Sequence, residues 1–113
     1  MLNTTLPHTE SDDDFKTLVE NHENVMLCCG RMGPMCLPVY DVMNELAPEY
    51  GNVKFADMDF DGPASHNIRK MPAVRNFMSL PFTIYFKNGE PVEATSSVQT
   101  IDQVKTILDK HFK

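Results

Sequence analysis

The sequence predicts an α/β domain built on a central mixed sheet of four, at most five, strands with helices on both faces. Three observations carry that prediction. Helical and strand-like hydrophobic patterns alternate from residue 11 onward, and a parallel strand pair needs a crossover helix between its members. The stretch Lys87-Asn88-Gly89-Glu90 reads as a tight hairpin turn between two β-rich runs. A last amphipathic helix then opens on a capping pair, Thr100 with Gln103.

Residues 1–10 carry no period and read as a disordered tail, leaving 11–113 as the single domain. Ser11 followed by Asp12, Asp13 and Asp14 is a helix start, a hydroxyl cap with acids where the dipole favours them. Phe15, Leu18, Val19 and His22 continue it along one face. Val25 to Cys29 is a short buried strand. Leu37, Pro38 and Val39 open the second helix, in whose first turn proline is tolerated. Its inner stripe is Val39, Val42, Met43 and Leu46, and Pro48 ends or kinks it. Val53 to Met58 is a strand that runs into Asp57, Asp59 and Asp61, acids read as solvated. Gly62 to Lys70 is a short helix, whereas Met71 to Leu80 has no clean period. Pro81 to Phe86 and Val92 to Ser97 pair through the hairpin. Ile101, Val104, Ile107, Leu108 and Phe112 face inward from the last helix.

The bulk numbers exclude several classes of function. At 113 residues with 42% hydrophobic and 23% charged content, the chain is an ordinary globular domain. Its net charge of −6 and the lack of a basic patch argue against nucleic acid or an anionic membrane as partner. No apolar run approaches the roughly 20 residues that span a bilayer. Met1 to Asp14 is polar and acidic, unlike a secretion signal. An odd count of 3 cysteines suits a reducing cytoplasm better than a disulfide framework.

All three cysteines fall within Cys28-Cys29-Gly30-Arg31-Met32-Gly33-Pro34-Met35-Cys36, between a strand and the helix after it. A thiol in the first turn of a helix feels the positive end of the dipole and unpaired N–H groups, which favour thiolate. Cys36 is therefore the first candidate for chemistry, against packing as a small buried hydrophobe. Adjacent strand residues point to opposite faces, so Cys28 and Cys29 cannot both approach one partner. Cys29, at the strand end, is the candidate partner of Cys36, against core packing of its own, and Cys28 reads as core. A disulfide between them needs Cα atoms within about 4.4–6.8 Å. Met32, Met35 and Met78 suit an adaptable apolar contact surface. With Cys29 and Cys36 they also form a soft sulfur set of the kind that suits Cu(I). No zinc spacing is present, no cofactor is expected, and the four histidines read as solvated surface.

Several local motifs resemble thioredoxin, and they cover nearly the whole chain. Glu45-Leu46-Ala47-Pro48-Glu49-Tyr50 is similar to the end of the family's active-site helix. Pro81-Phe82-Thr83-Ile84-Tyr85-Phe86-Lys87-Asn88-Gly89-Glu90 is close to the family's Pro-Thr-Leu-Leu-Leu-Phe-Lys-Asn-Gly-Glu. Gly33-Pro34-Met35-Cys36 sits where the family has Cys-Gly-Pro-Cys. The resemblance implies a thioredoxin-like fold, a cis peptide bond at Leu80-Pro81 facing the active-site loop, and electron transport by thiol–disulfide exchange with protein substrates. It also implies a reductase of the thioredoxin reductase kind as partner, for a chain expected to act as a monomer.

Counting back from Tyr50 places Cys36 at the resolving position and Gly33 at the nucleophilic one. Sliding the match to Met32-Gly33-Pro34-Met35 puts methionine at both. Either way no C-x-x-C pair is present, and Leu27 stands where the family has a buried acid. Residues 62–80 are also longer than the family's stretch. Two readings stay open. In one, Cys36, with or without Cys29, exchanges with disulfides in a groove formed by Met32, Gly33, Pro34, Met35, Leu80 and Pro81. In the other, a redox-inactive module binds a protein partner through that groove, lined also by Met78 and Phe82.

Overall fold

The computed structural model describes residues 2–113. Its elements are α1 (Asp12–Asn21), β1 (Asn24–Gly30), α2 (Leu37–Leu46), β2 (Lys54–Asp59), α3 (His66–Arg69), β3 (Phe82–Lys87), β4 (Glu90–Ser96) and α4 (Ile101–Phe112). Single 3₁₀ turns over Ala47–Glu49, Pro63–Ser65 and Pro72–Val74 join them. The strands form one mixed sheet in the order β2-β1-β3-β4. β1 runs parallel to β2 and antiparallel to β3, and β4 pairs back antiparallel on β3.

Local signals set the helix ends. The Ser11 hydroxyl accepts from the Asp14 N–H at 3.0 Å, closing the start of α1. At α4 both halves of the capping box are made, the Gln103 N–H donating to Thr100 and the Thr100 N–H to the Gln103 side chain. The hairpin turns through Asn88 and Gly89, both at positive φ, as a two-residue connection requires. The expected helix over Gly62–Lys70 is divided into a 3₁₀ turn and the four residues of α3.

β1 is buried along its whole length because helices cover both of its faces. Met26, Cys28 and Tyr85 point into one apolar layer with Val39, Met43 and Leu46 of α2 and Val104 and Leu108 of α4. Val25, Leu27 and Cys29 point into the other layer, with Leu18 of α1 and Ile68 of α3. No helix of the described residues is long and apolar enough to cross a membrane.

Residues 2–10 differ from the tail expected for residues 1–10; Met1 lies outside the described residues. Leu2, Leu6 and Thr9 are buried, the leucines in the layer that holds α2 and α4. The Thr9 N–H donates to the Asp57 carbonyl at 2.8 Å and the Asp57 N–H to the Pro7 carbonyl at 2.9 Å, a parallel bridge on the open edge of β2. Two isolated leucines among polar residues show no period, yet an unpaired sheet edge with an apolar layer beneath gives them a place to bind.

Candidate functional site

The site forms where β1 ends and α2 begins. Residues 31–36 turn back on themselves, with the N–H groups of Cys36 and Leu37 both donating to the Gly33 carbonyl at 3.1 Å. Cys36 then caps α2 with no side-chain hydrogen bond to the helix, and Pro38 follows in the first turn. The Arg31 N–H donates to Cys36 Sγ at 3.4 Å, and the Tyr40 hydroxyl donates to the Arg31 carbonyl at 3.1 Å. These two contacts tie the start of the loop to the helix that follows it.

Gly30 makes the close packing possible. A β-carbon there would lie 2.9 Å from Cys36 Sγ, 2.9 Å from the Tyr40 hydroxyl and 3.0 Å from Pro81 Cβ. Only a residue without a side chain lets β1, α2 and the Leu80–Pro81 segment meet at one point. The Leu80–Pro81 peptide bond is cis.

A shallow groove of about 360 Å³ runs over this junction, lined by Arg31, Gly33, Pro34, Met35, Cys36, Met78, Ser79 and Leu80. The structure thus gathers Gly33, Pro34, Met35, Cys36 and Leu80 in one place. Met32 and Met35 are half exposed on the loop and Met78 is 96% exposed. The Asn3 N–H donates to Met32 Sδ, so residues 2–10 touch this loop as well. Pro81 and Phe82 are buried beneath, and the Phe82 ring meets Phe60 and Phe77 edge-on or tilted.

The cysteines divide differently from the expectation. All three are free and buried, Cys36 being 2% exposed. Cys36 and Cys28 lie in the layer with α2, whereas Cys29 lies in the opposite layer with α1 and α3. The structure therefore does not bring Cys29 and Cys36 together; the sheet separates their side chains, and Cys28 shares the face with Cys36. The soft sulfur set that included Cys29 is split in the same way. Burial pushes the Cys29 thiol up to about 12, opposed by the Arg69 charge, and pushes Cys28 well above the usual thiol range.

One buried polar group was missed by the sequence reading, which placed Asp57 among solvated acids. Asp57 is fully buried on β2, in register with Cys28 of β1. Its carboxylate accepts the Thr4 hydroxyl and contacts His8 Nδ1 at 2.6 Å. Burial raises its pKa against the opposing effect of these two partners. The available signal was parity: Val53, Phe55 and Asp57 share one strand face, and the first two are plainly apolar.

No family model matches the chain. Thioredoxins of Staphylococcus epidermidis and Staphylococcus aureus are each 29% identical to it over 103 residues, covering 90% of this chain and 94% of theirs. The structure of Plasmodium falciparum thioredoxin superposes with a TM-score of 0.77 at 19% identity, over 94% of this chain and 99% of that one. The fold is that of thioredoxin. Thioredoxin O2 of Arabidopsis thaliana, in its oxidised state, matches with a TM-score of 0.77 at 19% identity over 99% and 98% of the two chains. Mitochondrial thioredoxin 3 of Saccharomyces cerevisiae, also oxidised, gives 0.73 at 19% over 93% and 95%. The relatives and the structural neighbours are thus thioredoxins alike, and the likeness to the solved structures shows the fold.

Proposed function

We propose that this thioredoxin-like chain carries out thiol–disulfide exchange with protein substrates through Cys36 as a single working thiol, in a reducing compartment such as the cytoplasm. The observation that carries this reading is position: of the three cysteines, Cys36 alone lines the groove between the 31–36 loop and Leu80. The Arg31 N–H aimed at its sulfur is a donor that a thiolate accepts from more strongly than a thiol does. An extended substrate segment lies along Met35 and Leu80. The Cys36 thiolate attacks one sulfur of its disulfide, that S–S bond breaks, and the departing sulfur takes up a proton. A thiol of a reductase of the thioredoxin reductase kind then attacks the Cys36 sulfur, and the second substrate sulfur leaves and takes up a proton. The reductase's other thiol displaces Cys36 by closing a disulfide within the reductase. Neither Cys28 nor Cys29 is required, and the protein works as a monomer.

A second reading has its own support: all three thiols are buried and the sheet separates Cys29 from Cys36. On this reading the groove binds a protein partner without exchange. Turnover of an insulin-type disulfide by wild type and by Cys36→Ser separates the two. Activity lost only in Cys36→Ser supports exchange. Failure of both proteins, with partner binding kept in a variant lacking all cysteines, supports the binding module.

A further inference from the structure

Sulfur at the groove is not confined to Cys36. Met26, Met43 and Met58 are fully buried and Met71 packs partly against the core, whereas Met32, Met35 and Met78 are 39%, 44% and 96% exposed. Met35 and Met78 line the groove together with Cys36, and Met32 lies on the same loop, one residue before Gly33. The exposed methionines among the described residues are therefore all at this junction. The rest of the lining adds little apolar surface. Gly33 has no side chain, Ser79 is polar, and Arg31 is tied to Asp61 at 2.7 and 2.9 Å. The apolar contact that the groove can offer comes from Pro34, Leu80 and the two long thioethers.

A thioether in open solvent is also a target for hydroperoxides, which convert it to a polar sulfoxide. We infer that Met78 and Met35 form an oxidation switch for the groove, receptive to an apolar substrate segment as thioethers and unreceptive as sulfoxides. The inference rests on the groove being the docking surface, as in the proposed function, and adds a chemical control over it. The sulfur attacks the terminal oxygen of the hydroperoxide and the O–O bond breaks. The sulfur is oxidised by two electrons, the proton on the transferred oxygen passes to the departing one, and an alcohol or water leaves. The sulfoxide oxygen is a strong acceptor, and pressing it against an apolar segment leaves it without a donor. Met32 reacts last, because its sulfur is the least exposed of the three and already accepts the Asn3 N–H at 3.3 Å.

The test treats the full chain with hydrogen peroxide, removes the oxidant, and reduces any oxidised thiol with dithiothreitol, which leaves sulfoxides in place. Peptide mass spectrometry should find sulfoxide at Met78 first and Met35 next, with Met26, Met43 and Met58 spared until urea is added. Insulin turnover should fall about tenfold. It should return after repair by methionine sulfoxide reductases, one for each sulfoxide epimer. Met35→Leu with Met78→Leu, compared with its own untreated form, should lose nothing on peroxide treatment. Equal oxidation of buried and exposed methionines in the folded chain overturns the inference. So does a sulfoxide form that turns over like the untreated chain, or a loss that persists in the double variant. If the untreated protein turns over no insulin, the exchange reading falls alone, and the switch is read from the alkylation rate of Cys36 in the same groove. A rate changed by the sulfoxides and restored by the reductases supports the switch, and an unchanged rate overturns it.

Discussion

His8 Nδ1 lies 2.6 Å from Oδ1 of Asp57, so residues 2–10 close onto a carboxylate that is wholly shielded from solvent. The second oxygen of Asp57 takes the Thr4 hydroxyl, and the backbone on both sides of the bridge is paired. A buried acid without these partners would carry a large uncompensated cost. Asp57→Ala leaves Thr4 and His8 without their acceptor and should lower stability by about 1–3 kcal/mol. The urea midpoint measures this, and faster proteolytic nicking before residue 11 should accompany it. An unchanged midpoint would mean that the bridge contributes nothing.

Leu6→Ala tests the same segment from its apolar side. Leu6 is 5% exposed, and truncating a buried leucine costs about 2–5 kcal/mol. The lower end is expected, because the site lies near the chain end and can collapse. Urea unfolding followed by circular dichroism reads the change directly.

Gly30→Ala brings a β-carbon to 2.9 Å from Cys36 Sγ and from the Tyr40 hydroxyl. Both neighbours are held, Tyr40 by its bond to Arg31, so overpacking should cost about 1–3 kcal/mol. Because the displaced atom is the Cys36 sulfur, its alkylation rate should change together with stability. A midpoint within error of wild type would show that the loop yields freely.

The native protein should present its cysteines unequally to iodoacetamide near neutral pH. Cys29, pushed up to about 12 and buried, and Cys28, raised well above the usual thiol range by burial, should stay unmodified. Cys36, on the groove, should be modified first, and all three should react in urea. Mass spectrometry of peptides assigns the sites. Cys29→Ala should leave the Cys36 rate unchanged, and a coupled change would argue for contact between them.

Stability should fall steeply in alkali. Cys29 and Tyr50 each titrate near 12 in the folded chain, the first chiefly through burial and the second chiefly through its hydrogen bond to Asp109. Burial raises Tyr40 and Tyr85 as well. The folded state therefore holds protons that the unfolded chain releases at about 8.5 for Cys and 10 for Tyr. Their contribution is complete below the unfolded values and is lost as pH rises toward the folded ones. Thermal melts across pH 8 to about 12 should show a falling midpoint, steepest above about 10. A flat profile would mean that these groups are solvated.

Much of the architecture was legible because its causes are local. A hydroxyl at Ser11 or Thr100 finds an N–H three residues on, whatever the rest of the chain does. The Asn88–Gly89 turn and the stripes of α2 and α4 are likewise properties of short windows. The sequence by itself also placed Cys36 at the start of α2 and set Cys28 and Cys29 on opposite faces, since strand parity is fixed by the backbone. Which face each cysteine shares was decided only by the tertiary structure. β1 is apolar on both sides, so nothing in its residues says on which side α2 packs. That choice put Cys28, and not Cys29, in the layer of Cys36. Residues 2–10 were illegible for the same reason, since a leucine without a period looks solvated until another part of the chain gives it a place. Asp57, whose strand face was legible by parity, had partners that only the tertiary structure supplied.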